Sequence, residues 1–155
     1  MLVDFDILPD ESRIWIYASE HRLTDKQEGY ILDRIYGHLK VWEAHNVPLT
    51  AGVKIIDNHF IIIALDEGKN GASGCSIDTL QHKIQQIEDN LSISLLNRLN
   101  VFCIVDDAIV CIPSFNLKNH VDKNTLFYDL TIQNKSQINS FLKPISDGWC
   151  SRLLD

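Results

Sequence analysis

The residues best placed to do chemistry are Ala72-Ser73-Gly74-Cys75-Ser76-Ile77-Asp78, between an apolar stretch and an amphipathic one. Gly74 lets the backbone turn sharply, and the residues after it leave amide N–H groups unpaired at a helix start. A thiol at that point feels the positive end of the helix dipole, which favours the thiolate. Cys75 is therefore the candidate nucleophile. Thiolate catalysis also needs a proton acceptor and donors for a developing oxyanion. His45, just past the first helical stretch, is the candidate base, and the amides of residues 73–76 are the candidate donors. Asp78 works the other way, because a carboxylate three residues on opposes negative charge at sulfur. The same run also has a structural use: Ser73 or Ser76 caps the helix, Gly74 turns the chain and Cys75 packs inward. As a ligand site it offers Ser73, Gly74, Ser76 and Asp78 to a crevice beside the 68–78 loop.

Trp15 and Tyr17 form a second candidate surface. Along Arg13–Ser19 they alternate with Ile14, Ile16 and Ala18, so they share one face of a strand. In a two-layer fold one sheet face can be open, and aromatics there stack on a ligand or partner. The alternative is that the C-terminal residues cover this face, with Trp149 packed close by. No metal centre is expected. His38 and His45 are seven residues apart, which is about 10 Å along a helix, too far to share one ion. His21, His59, His82 and His120 lack partners at ligand spacing. The four cysteines, Cys75, Cys103, Cys111 and Cys150, form no CxxC pair. No cofactor motif is present, so none is assigned.

These residues must be positioned by alternating strands and helices. After the first strand, Thr24 with Gln27 makes a capping box for a helix whose apolar face is Ile31, Leu32, Ile35, Leu39 and Trp42. Val53–Asp66 reads as a hairpin turning at Asp57-Asn58, with Phe60–Ile63 as its buried arm. The glycine-rich loop 68–74 leads to a helix over about 76–90, with Ile77, Leu80, Ile84, Ile87 and Leu91 as its stripe. A helical turn near Leu95–Leu99 precedes a hairpin of Val101–Val105 and Ile109–Pro113 around Asp106-Asp107-Ala108. A three-residue loop there sets Cys103 opposite Cys111, whereas a two-residue loop does not. A strand over Leu126–Ile132 and a short helix over Lys135–Leu142, stopped by Pro144, complete the chain. The order β-α-β-β-α-β, then more strand and helix, predicts a two-layer α+β fold. Its sheet is mainly antiparallel with helices on one face: a ferredoxin-like core plus a C-terminal extension in one domain, 1–155.

Fourteen basic against 21 acidic residues give a formal charge of −7. That field repels phosphate backbones and anionic bilayers, so neither nucleic acid nor membrane is an expected partner. The longest apolar run, Phe60–Leu65, is far short of a bilayer span, and Met1–Glu11 lacks a basic leader region. A cytoplasmic location is the expectation.

Several segments together resemble a family of short bacterial proteins found mostly in the Bacteroidetes. They are Ser12–Tyr17, Trp42-Glu43-Ala44-His45, the Ala72–Asp78 run, Thr125-Leu126-Phe127 and the tail around Asp147–Trp149. The tail departs from the family pattern, reading Asp-Gly-Trp-Cys in place of Asp-Ser-Trp-His. The resemblance implies a shared fold. The family's usual label, ABC transporter ATPase, implies a transporter association. The residues lack what that label needs. A P-loop requires GxxxxGK followed by Ser or Thr. The only Gly-Lys here is Gly68-Lys69, with Ile63 at the earlier glycine position and Asn70 at the hydroxyl position. The leading expectation is a binding module for a small molecule or a protein; a thiol-dependent acyl-transfer enzyme or hydrolase built on Cys75 is the alternative.

Overall fold

The computed structural model describes residues 1–155, which form two compact units: Met1–Leu96 with Gln133–Ser136, and Asn97–Ile132 with Gln137–Asp155. Within the first unit the elements are β1 (Arg13–Ala18), α1 (Asp25–Lys40), β2 (Glu43–Ala44), β3 (Val47–Pro48), β4 (Ala51–Ile56), β5 (Phe60–Leu65) and α2 (Gly74–Leu91). The fold is α+β with antiparallel sheets.

Phe60-Ile61-Ile62-Ile63-Ala64-Leu65 is apolar on both faces, which suits a strand with neighbours on each side and cover above and below. β5 is indeed central, in the order β1-β5-β4, and every residue of it is buried. Both helices lie on one face. Ile31, Ile35 and Leu39 of α1 and Leu80, Ile84 and Ile87 of α2 share a core with Tyr17, Ile61, Ile63 and Leu65. Ile14, Ile16, Phe60 and Ile62, on the opposite face, are buried as well. The N-terminal residues run beside β4: the Val3 N–H donates to the Ala51 carbonyl at 2.9 Å. A Cβ on Gly52 would stand 2.8 Å from the Val3 oxygen, so this approach needs glycine.

Three strands thus take the order of a ferredoxin-like core. The fourth does not: residues 100–105 pair in the other unit's sheet. On the edge of β1 the Gln133 carbonyl accepts from the Ile14 N–H at 3.0 Å, and Asn134 bridges Arg13.

The predicted capping box of α1 is present. The Thr24 hydroxyl accepts from the Gln27 amide at 3.1 Å, and the Gln27 side chain accepts from the Thr24 amide at 2.9 Å. The helix stops at Lys40, before Trp42, and the following residues form the unforeseen hairpin β2–β3.

The second unit contains β6 (Asn100–Val105), β7 (Ala108–Pro113), β8 (Leu126–Tyr128) and β9 (Leu142–Pro144), in the order β7-β6-β8-β9. Asp106 and Asp107 both have positive φ and form a two-residue loop, the kind that matches strand twist. That loop places Cys103 opposite Val110 and Cys111 opposite Phe102. Cys103 and Cys150 lie in a core with Val101, Ile112, Leu117, Phe127 and Ile145. Burial first, then the Cys150 and Cys111 thiols, pushes Cys103 up to about 12. Both buried thiols act as small hydrophobes.

Three local expectations need correction. No helical turn forms at Leu95–Leu99; the Glu88 carboxylate accepts from the Leu95 and Leu96 amides instead. The strand expected to reach Ile132 ends at Tyr128, where the Asp129 carboxylate takes the Thr131 amide and hydroxyl. The last helix is a 3-10 segment, Lys135–Ser140, and Pro144 falls on β9, an edge strand that tolerates a missing N–H. No helix is long and apolar enough to cross a membrane.

Candidate functional site

The start of α2 is held on two sides. On one, the buried Trp42 indole N–H donates to the Ser76 carbonyl at 2.9 Å, tying the end of the α1 region to the first turn of α2. On the other, the β2–β3 hairpin turns at His45 and Asn46, with φ of 53° and 63°. Both sit in the left-handed region, which costs an L-residue energy and persists only where its surroundings hold it. Asn70 braces it: its side-chain amide donates to the Val47 carbonyl at 3.1 Å and the Ala44 carbonyl at 3.4 Å. The loop carrying Asn70 is closed by its own acids. Asp66 accepts from the Gly68 amide and Glu67 from the Ala72 amide, each at 3.0 Å.

The α2 N-terminus itself is a reciprocal cap. The Ser73 hydroxyl accepts from the Ser76 amide at 3.1 Å, and the Ser76 hydroxyl accepts from the Ser73 amide at 2.8 Å. Between this cap and the pinned hairpin is an open hollow of about 600 Å³, lined by Glu43, His45, Asn46, Ser73, Cys75 and Thr79 among others.

The structure therefore brings His45 and Cys75 to one hollow. Cys75 is exposed there and does not pack inward. No hydrogen bond joins the imidazole to the thiol, and the amides of Gly74 and Cys75 have no acceptor within the chain. Ser73 and Gly74 line the hollow as expected. Ser76 does too, but it is buried and its hydroxyl is committed to the cap.

Asp78 is placed elsewhere. It lines a shallower depression with His38, His82 and Lys83. His38 is half-buried against Trp42, ring centres 5.9 Å apart, and burial first, then nearby Lys83, lowers its affinity for a proton.

The aromatic pair also fails to form an open stacking face. Odd positions of β1 face the helices, so Tyr17 is core, only 3% exposed. Trp15 is half-buried, edge-on to Trp42 at 5.9 Å, and the Arg13 guanidinium lies over its ring at 4.8 Å. It lines a polar depression with Arg13, Glu67 and Gln133, not the hollow of Cys75.

Asn46, Asn70 and Glu43 were not among the site residues expected from the sequence. Asn46 alone carried a signal, as a residue that tolerates positive φ at a hairpin turn; the reach of Asn70 across the loop had none.

Comparison with family models, with curated proteins and with solved structures yields no match.

Proposed function

We propose that this chain is a cytoplasmic binding module that takes a small polar ligand in the hollow between the 43–46 hairpin and the start of α2. One observation carries this reading: a strained turn is pinned so that His45 and Asn46 stand beside the unengaged amides of Gly74 and Cys75. Fixed donors around an open concavity suit a ligand rich in acceptor oxygens. Kinship with the short bacterial proteins that the chain resembles belongs to this proposal, but their ATPase label does not. The loop before α2 has its Asn70 amide committed to the hairpin where a P-loop needs a magnesium-binding hydroxyl.

The test is a thermal-shift screen of small carboxylates, phosphates and sugars against the intact chain. A hit should stabilise the native protein and lose that effect in His45→Ala and in Asn70→Ala. Hits whose stabilisation survives both substitutions would place the site elsewhere.

The exposure of Cys75 favours a second reading, a thiol-dependent enzyme. In it the sulfur attacks an acyl carbon, the leaving group departs with the proton held by His45, and water hydrolyses the thioester. The absent His45–Cys75 hydrogen bond counts against a preformed pair. Hydrolysis of p-nitrophenyl acetate decides this: turnover abolished by Cys75→Ser supports the enzyme, and identical rates in both proteins remove it.

A further inference from the structure

Where α1 ends beside α2 the first unit has another hollow, of about 440 Å³, apart from the one at Cys75. Gly37 is part of its lining. A Cβ added to Gly37 would meet nothing within 4 Å, so packing does not demand glycine there. Glycine inside a helix also costs about 0.5–1 kcal/mol relative to alanine. What the missing side chain does provide is open space between Asp33 and Val41, one turn before it and one turn after.

Three cations border that space, Arg34 and Lys40 from the α1 side and Lys83 from α2. They face one carboxylate, Asp33, which leaves a local surplus of positive charge in a chain of formal charge −7. The Arg34 guanidinium already lies over the Tyr30 ring, at 4.9 Å. Neither Lys40 nor Lys83 forms an ion pair, although Lys83 is half-buried. A lysine in the last turn offsets the negative end of a helix dipole, which accounts for Lys40. It does not account for Lys83, in the middle of α2. The carbonyls at the end of α1, which repel an anion, are partly occupied: the Val41 amide donates to those of His38 and Leu39. His38 lines the hollow too, and its Nε2 is buried with no hydrogen-bond partner in the chain, a cost that a bound acceptor would remove. Three cations against one carboxylate match a phosphate monoester, which carries nearly two negative charges at neutral pH. Tyr36 and Val41, 39% and 74% exposed, make one side of the rim apolar.

We propose that this hollow binds the phosphate monoester of a small apolar alcohol or phenol. Its phosphoryl oxygens meet Lys83, Lys40 and His38 Nε2, and its organic body lies against Tyr36 and Val41. The inference is independent of the site beside Cys75. It is tested by titrating the intact 15N-labelled protein with phenyl phosphate at constant ionic strength, following the backbone amide signals. Phenyl sulfate and inorganic phosphate are titrated separately. Phenyl phosphate should shift the Gly37 and His38 amides saturably, and more tightly than either comparison compound. Lys83→Gln and Gly37→Leu should each weaken it by at least about fivefold, the first by removing a charged donor and the second by filling the floor. Lys26→Gln, on the exposed start of α1, should leave it unchanged. A dispersed spectrum establishes that each variant is folded; leucine is a good helix former, and if Gly37→Leu unfolds, Lys83→Gln decides. The proposal is overturned if phenyl sulfate or inorganic phosphate binds as tightly, or if a folded Lys83→Gln or Gly37→Leu protein keeps the wild-type affinity. Equal weakening by Lys26→Gln would also overturn it, as diffuse attraction, and so would shifts confined to residues 43–46 and 73–76. So would the absence of any saturable shift up to about 10 mM, where even a Kd near 1 mM would fill most sites.

Discussion

Replacing Lys143 with Met probes how the second unit tolerates a buried carboxylate. Asp129 and Lys143 meet at 2.8 Å with side chains only 10% and 20% exposed. Exposed pairs contribute about 0–1 kcal/mol, whereas removing one partner of a buried pair costs about 3–5 kcal/mol. This pair is close to the buried limit, but Thr131 still donates twice to the same carboxylate. The expected loss is therefore about 2–3 kcal/mol at neutral pH.

The pH dependence follows from what acts on Asp129. Burial raises its proton affinity, but hydrogen bonds from Lys143 and Thr131 and the Lys143 charge outweigh burial and hold the carboxyl below its ordinary value. A carboxyl depressed in the folded state adds stability that is fully present above the unfolded value, about 3.9, and is lost as pH falls through the folded value. The gap between wild type and Lys143→Met should accordingly narrow as pH falls below the unfolded value and through the lowered folded one, because protonating the carboxylate removes what its pairing with Lys143 contributes. Urea unfolding followed by circular dichroism measures this, and Asp129→Asn in the Lys143→Met background should recover part of the loss. A neutral-pH loss below about 0.5 kcal/mol, or no recovery in the double variant, would refute the reasoning.

Gly29 and Gly37 lie inside α1, and a Cβ added at either would meet nothing within 4 Å, so alanine at each should stabilise by about 0.5–1 kcal/mol, read as a higher urea midpoint. In the folded protein, Cys75 should be the thiol that reacts rapidly with Ellman's reagent; Cys103 and Cys150, fully buried, should react only on unfolding, and a Cys75→Ser protein that keeps the fast phase would contradict this. The lowered proton affinity of His38 means the unfolded chain takes up its proton first, so stability is lost as pH falls through about 6.5 toward the lower folded value. His38→Gln should flatten that part of the fall in urea midpoints, and an undiminished slope would show that His38 does not cause it.

Much of this protein is written in short stretches of its chain. The alternation of Trp15 and Tyr17 with Ile14 and Ile16, the Thr24–Gln27 capping box, the helical stripe from Leu80 to Ile87 and the glycine turn before Cys75 are all local. Local steric and hydrogen-bond preferences determine them, so reading along the chain is enough. Elements fail to read where a side chain bonds from a distance, as Glu88 does to residues 95–96 and Asn70 to the hairpin of the His45–Asn46 turn. Strand partners are of the same kind. The apolar pattern of residues 101–105 says strand but not which sheet, because backbone hydrogen bonds are indifferent to sequence and only burial in the whole unit chooses among them. The composition of the Ala72–Asp78 run therefore marked a helix start with a thiol on it. Its exposure beside His45, and the burial of Tyr17, were settled by packing.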